Sequence, residues 1–374
     1  GVDPDGFAPR HRMVISPGAR TASTSGEVRA SRTVVEGPRT HSLHLSVRGR
    51  DQARAYGGGV GVELGPGQVQ CRVQAPEPTI APGRQSHDEI RQAWAGAAYQ
   101  GVWAGVGQVS ASLQKTRYRK TTRPPVGAEI ETRASPWLYD AALTLEAPGA
   151  WVVYASVARG LEESAAAPEV ALNRDEAPPA ILTRQYDGGV RWAFGPGLRL
   201  VAGGFSVEKP YFSLDGAGLY RQLGRVRHRG LELSLSGRPT PALTLLAGAV
   251  LLDAEVEGEA VRAGLVGRRP VGVASRTFTL NAEFTPPQAT GLTLDLGLEH
   301  VGPRAANTTN TFETPPTTLV HVGLRYPLMV AGRRATVRAQ VNNLFDTYRW
   351  ELVASNTYAY DRPREVSVRI TTEF

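Results

Sequence analysis

The sequence predicts an all-β protein: a transmembrane antiparallel up-and-down β-barrel. Three observations carry this. Apolar and polar residues alternate with period two through most of the chain, whereas sustained helical periodicity is hard to find. From about residue 146 onward, tight connections strictly alternate with long polar ones, the arrangement of barrels with short turns at one end and long loops at the other. No stretch approaches the roughly 18 uninterrupted apolar residues of a membrane-spanning helix.

The chain opens at Gly1 without Met, a basic segment or an apolar run, so residues 1–23 read as a cut edge or loop and 24–374 as barrel. Strands are expected near 24–36, 39–50, 56–64, 68–76, 87–99, 102–116, 132–146, 150–160, 181–194, 198–208, 222–236, 242–253, 272–284, 291–301, 317–327, 333–343 and 364–374, about 17 in all. In the second, Leu43, Leu45 and Val47 alternate with His44, Ser46 and Arg48; later, Leu231-Leu233-Leu235 and Leu292-Leu294-Leu296-Leu298 repeat the pattern. Successive strand side chains point to opposite faces, so Leu231 goes to lipid and Glu232 to the lumen, as do Asp295 and Glu299. The tight connections hold Gly65-Pro66-Gly67, Pro148-Gly149, Gly195-Pro196-Gly197 and Gly332-Arg333; long ones fall near 160–181, 208–221, 253–271, 302–316 and 345–363. Membrane barrels of single bacterial chains have even strand numbers, so an odd count agrees with a strand missing upstream.

Composition narrows function by exclusion. The 374 residues include 41 Gly and 27 Pro, punctuation for many short elements. The single cysteine, Cys71, allows neither an intrachain disulfide nor a cysteine zinc cluster. The net charge of +7 suits nucleic acid, an anionic ligand or an anionic lipid surface, and alone decides nothing. The seven His are scattered without His-Glu-x-x-His spacing, and no Gly-x-Ser-x-Gly elbow or phosphate loop occurs. No enzyme, cofactor, metal site or nucleic-acid partner is expected.

Aromatic and basic residues mark candidate surfaces. Trp103, Trp151 and Trp192 lie beside short turns, where amphipathic rings favour the headgroup level. Tyr211, Tyr220, Tyr348 and Trp350 lie in or beside long loops and, with Arg221, are the candidate ligand-binding residues. Arg221, Arg225, Arg227 and Arg229 recur along one strand. A lumen-facing row would suit an anionic substrate; contact with anionic outer-leaflet lipopolysaccharide, or a lumenal salt-bridge ladder, is the other reading. Asn342-Asn343-Leu344-Phe345-Asp346 reads as a strand stop. The last strand, EVSVRITTEF, ends on Phe374, and a C-terminal aromatic there resembles the signal read by the outer-membrane barrel assembly machinery.

The segment VRAQVNNLFDTYRW (337–350), followed by a loop and the Phe-terminal strand, resembles the C-terminus of TonB-dependent outer-membrane receptors. So does the block from Arg184 to Gly258, with its Phe-x-x-x-Lys-Pro loop entry, Arg229-Gly230-Leu231-Glu232 strand and PALTLLAGA strand, as in the ferric-siderophore branch. The likeness covers most of residues 150–374. It implies a Gram-negative outer membrane, a barrel of about 22 strands of which this chain holds the C-terminal majority, and a ferric siderophore as ligand, with iron held by the siderophore. It also implies TonB as partner, through an N-terminal part and a plug domain not present in this sequence. A passive porin-like channel of about 16 or 18 strands, and a surface β-protein used for adhesion, remain open at this point.

Overall fold

The computed structural model describes residues 7–68, 79, 81–164, 167, 171–173, 176, 178–195, 197–289, 291–330, 332–355, 357–361 and 363–372. Fifteen strands form the wall: β1 (Arg20–Glu36), β2 (Arg39–Tyr56), β3 (Ser86–Trp103), β4 (Gly107–Arg123), β5 (Trp137–Ala147), β6 (Trp151–Glu162), β7 (Ile181–Phe194), β8 (Leu198–Leu214), β9 (Tyr220–Thr240), β10 (Leu243–Gly258), β11 (Arg276–Phe284), β12 (Thr293–Val301), β13 (Thr317–Val330), β14 (Arg333–Asn342) and β15 (Glu365–Thr372). Each is antiparallel to its sequence neighbours, in the order β1 to β15. A further strand, Ile130–Ala134, extends the sheet beside the upper part of β4. Among the described residues no helix is long and apolar enough to cross a membrane.

Because neighbours are antiparallel, successive connections fall at opposite ends of the wall. Those at 37–38, 104–106, 148–150, 195–197, 241–242, 285–292 and 331–332 are the short set; those at 57–85, 124–136, 163–180, 215–219, 259–275, 302–316 and 343–364 form the other end. The turn before β6 shows how the short ones close: Gly149 (φ 81°) and Ala150 (φ 61°) both adopt the left-handed backbone that reverses the chain, a conformation glycine enters without steric cost. The long-loop end builds small sheets of its own. Phe7–Ile15 pairs with Val60–Gln68, Arg304–Ala305 with Glu313–Thr314, and Trp350–Ala354 with Thr357–Tyr360.

These pairings correct the expected strand set. The strand near 56–64 is Val60–Gln68, outside the wall, because its partner is Phe7–Ile15. The strand near 68–76 lies outside the described residues beyond Gln68, as do Cys71 and Phe374. Among the described residues fifteen of the expected strands therefore form the wall.

The two faces separate by side-chain parity. On one, Leu43, Leu45, Val47, Leu113, Leu143, Leu233, Leu324, Val366 and Val368 are all exposed, Leu233 at 49%. The register carries this face across the wall, as in Phe284–Leu294–Leu324–Ala339–Val368. Large apolar side chains in so continuous an exposed band are explained by lipid contact, so this is the outer face. The opposite face holds Glu232, Ser234 and Asp295, which pairs with Arg338 at 3.8 Å beside Gly323. Loops fold over this inner face, as the next site shows.

Candidate functional site

The hairpin β8–β9 is the longest in the wall, with strands of 17 and 21 residues. A tilted strand needs only about 9–11 residues to cross a bilayer, so the upper part of this hairpin projects past the lipid. Its tip is closed by Asp215. One carboxylate oxygen accepts the backbone N–H groups of Ala217 and Leu219, each at 2.9 Å, and the other accepts Arg221 Nε at 2.7 Å. The Arg221 hydrogen bond, then that of Leu219, holds the Asp215 carboxyl below the usual aspartate range.

Below the tip the register slips between Tyr211 and Phe212, where Leu223 forms a bulge. Leu223 joins Val226, Val256, Ala260 and Val266 in an apolar cluster, with Tyr211 packed against it. Ala260 belongs to a one-turn helix, α1 (Glu259–Arg262), and Val266 to the loop that follows, so the β10–β11 loop is folded onto the inner face of the hairpin. Arg221 ties the same parts electrostatically, reaching Glu259 at 3.0 Å as well as Asp215. The β6–β7 loop docks on the other side. The Asn173 side-chain amide donates to the Tyr220 carbonyl (3.0 Å), and its carbonyl accepts the Tyr220 N–H (2.7 Å), imitating a strand neighbour. The Tyr220 ring stands 6.0 Å from Phe212.

Three of the five sequence candidates, Tyr211, Tyr220 and Arg221, therefore gather on one hairpin, where Tyr211 is part of the packing and Arg221 is neutralised by two carboxylates. Tyr348 and Trp350 lie on the β14–β15 loop, their rings edge to face at 5.8 Å. An Arg349–Asp361 ion pair closes that loop, and Phe312 against Tyr358 (6.2 Å) joins it to the β12–β13 loop. The two groups belong to the same end of the wall but to separate loops.

The structure corrects the lumen-facing readings of the arginine row and leaves the outward one. Arg225, Arg227 and Arg229 share the parity of Leu231, which is 63% exposed, and so face outward rather than into the lumen. Their counter-charges lie on neighbouring strands: Glu257 at 3.0 Å from Arg227, and Glu208 at 3.2 Å from Arg227 and 3.4 Å from Arg225. The sequence reading also missed an inner-face cluster at the upper ends of β2–β4, where Arg54, Tyr56, Asp88 and Lys120 meet Glu163 and Ser164 of the β6–β7 loop. Its only local signal is the strand end Arg117-Tyr118-Arg119-Lys120, charged on both faces where one would be expected to stay apolar.

This geometry is a cylinder wall with loops packed on one another at one mouth, aromatic rings among them, and Arg221 and Arg349 paired with carboxylates there. Residues 51–344 match the family model described as TonB dependent receptor-like, beta-barrel. The ferrichrome receptor FcuA of Yersinia enterocolitica is 31% identical over 209 residues, 54% of this chain and 27% of that protein. Among solved structures, BauA, the ferric preacinetobactin receptor of Acinetobacter baumannii, superposes with a TM-score of 0.76 at 22% identity, covering 95% of this chain and 55% of that one. The siderophore receptor PiuA of the same organism gives 0.77 at 14%, covering 94% and 56%. The chain thus spans about a quarter of the curated relative and about half of the solved ones. Its sheet, its face alternation and these matches place it in the TonB-dependent receptor β-barrel family, a family of Gram-negative outer-membrane proteins.

Proposed function

We propose that this chain forms wall and loops of a receptor that captures a ferric siderophore at the long-loop end and passes it inward with energy delivered through TonB. The observation that carries the reading is the 31% identity to a ferrichrome receptor, joined to a wall whose long loops are all at one mouth. A passive channel gives no reason for loops folded inward on an apolar cluster and tied by Arg221 and Asn173. In this reading Tyr211, Tyr220, Arg221, Tyr348 and Trp350 supply the ligand surface. Aromatic faces cover the apolar part of a chelate, and a guanidinium donates paired hydrogen bonds to its oxygens. Iron travels as cargo inside the siderophore, and the protein carries no cofactor. Lipopolysaccharide surrounds the outer wall, and the assembly machinery recognises the C-terminal Phe374.

The test is binding of iron-labelled ferrichrome, and of a panel of ferric hydroxamates and catecholates, to cells expressing the full-length receptor. Wild type should bind one of them, and Ala at all five positions should abolish that binding with surface insertion intact. Unchanged binding by the inserted variant would remove these residues from the site. No binding by wild type to any ferric siderophore would remove the substrate class.

A further inference from the structure

Three mouth loops meet where the hairpin β12–β13 runs on past the wall. Val301 faces Thr317 at the top of the two strands, and Arg304 faces Thr314 in the same register above them. Main-chain contacts lace the β10–β11 loop to this extension. Gly272 N–H donates to the Ala305 carbonyl (2.9 Å), Gly267 N–H to the Thr308 carbonyl (2.7 Å), and Ala274 bridges Arg304. The β14–β15 loop closes over it, with Tyr358 against Phe312 and Leu352 within van der Waals reach of a side chain added at Gly272. The junction is shut to solvent: Thr314 is 5% exposed, and Ala305 and Ala306 less.

Its interior holds two hydrogen-bond donors with nothing to donate to. The Arg304 Nε and the Thr314 hydroxyl are both buried, and among the described residues neither has a hydrogen-bond partner. They belong to directly opposed residues, whose Cβ atoms in an antiparallel pair stand about 4.5–5.5 Å apart. No carboxylate balances the guanidinium either. The β10–β11 and β12–β13 loops carry four arginines and two glutamates. Glu313 is taken by Arg269 and Glu259 by Arg221, which leaves none for Arg304. A half-buried guanidinium without a counter-charge, beside a buried hydroxyl without an acceptor, costs free energy. One acceptor placed between them removes both costs.

We propose that Arg304 and Thr314 bind a single halide-sized anion, chloride in the ordinary medium, and that this ion completes the three-loop junction. The donor set is the reason for an anion. Nε–H and the hydroxyl both give hydrogens, and an ion that only accepts satisfies both while neutralising the guanidinium. A water molecule would accept both hydrogens but leave the charge uncompensated and have two hydrogens of its own to place. The spacing is the reason for a small ion, since the gap of one cross-strand pair admits neither a chelate nor a lipid headgroup. Neither residue is among the five that form the proposed ligand surface, and the site does not depend on which siderophore the receptor carries.

The experiment takes the full-length receptor, crystallised with bromide in place of chloride, and collects diffraction at the bromine absorption edge. An anomalous peak should lie between Arg304 Nε and the Thr314 hydroxyl, and Arg304→Gln should remove it. Thr314→Val, which keeps the shape of the side chain, should do the same and answers the question if Arg304→Gln does not fold. In solution, the Gly272 and Ala306 amides, both hydrogen-bonded within the junction, report its order. Their hydrogen exchange should be roughly tenfold slower in chloride or bromide than in gluconate, an anion too large to enter, at equal ionic strength. Either variant should exchange at one rate in all three salts. Wild-type crystals with no anomalous signal at this place, or with a water there, overturn the proposal. A bromide peak without halide-dependent protection marks an adventitious ion only and overturns it as well. Halide-dependent protection that survives in both variants puts the ion elsewhere, which again overturns the assignment.

Discussion

The Lys120 ammonium lies 3.0 Å from the Asp88 carboxylate, and both side chains are almost wholly withdrawn from solvent, at 2% and 4% exposure. Lys120 also donates to the Ser164 carbonyl (3.2 Å) and approaches Glu163 (3.4 Å), while the Tyr56 hydroxyl donates to Asp88 (3.1 Å). This pair fastens the β6–β7 loop to the inner wall. Lys120→Met leaves Asp88 buried with only a neutral donor and should cost about 3–5 kcal/mol. Asp88→Asn, which leaves Lys120 with Glu163, should cost about 1–3 kcal/mol. Urea unfolding in lipid vesicles gives both values, and equal small losses would mean that water reaches the pair.

Depth in the membrane should set the cost of a charge on the outer face. Leu233→Arg, in the middle of β9, should cost about 2–4 kcal/mol, and Leu294→Arg about 0–1 because Leu294 is the second residue of β12, beside the short-turn interface. Ser234→Arg, on the inner face, should be tolerated. Vesicle refolding titrations rank the three, and a Ser234 variant as costly as the Leu233 variant would reverse the assigned faces.

The hairpin tip should respond to acid. The Asp215 carboxyl is lower in the folded protein than in the unfolded chain, so its contribution is complete above the ordinary aspartate value near 4 and lost as pH falls through the folded value. Hydrogen exchange at the Ala217 and Leu219 amides should therefore be equally protected at pH 7 and pH 5 and lose protection below about pH 4. In Asp215→Asn the protection should be weaker and independent of acid.

At the short-turn end, Trp192 is stacked between Trp151 (4.6 Å) and Phe194 (4.3 Å). Trp192→Ala removes both contacts and should cost about 1–3 kcal/mol, on the basis of roughly 0.5–1.5 per aromatic pair. The fluorescence of Trp151 should be quenched by lipids brominated near the headgroup more than by those brominated near the chain end. The opposite order would move this rim into the hydrocarbon.

Much of the wall was legible because lipid on one side and lumen on the other impose period two on nearly every crossing. The pattern at Leu231-Glu232-Leu233-Ser234 states the facing without reference to any other strand. Where the reading failed, the constraint was not local. Val60–Gln68 alternates like a wall strand but pairs with Phe7–Ile15, a partner some fifty residues upstream that no pattern announces. Two of the readings of the arginine row, a substrate path and a lumenal ladder, faced inward, although the parity of Leu231 already put the row outside. Above the bilayer an outward charge meets headgroups and water, so the apolar rule simply ends there. Within the loops, Asn173 acts through a single side chain, and nothing in its neighbours distinguishes it from an ordinary surface residue.

That each wall strand bonds only to its neighbours in sequence has a consequence for how such a chain can change length. A strand gained or lost singly would invert every crossing after it and deliver all later loops to the wrong compartment. A hairpin gained or lost whole leaves the remaining loops where they were. The unit of permissible rearrangement is thus two strands and their tight turn. Because its contacts form between residues close along the chain, that unit is also one that can zip up early during assembly. Duplicating β5–β6 should yield a wider wall with the mouth loops unmoved, whereas duplicating β6 alone should yield a protein that does not insert.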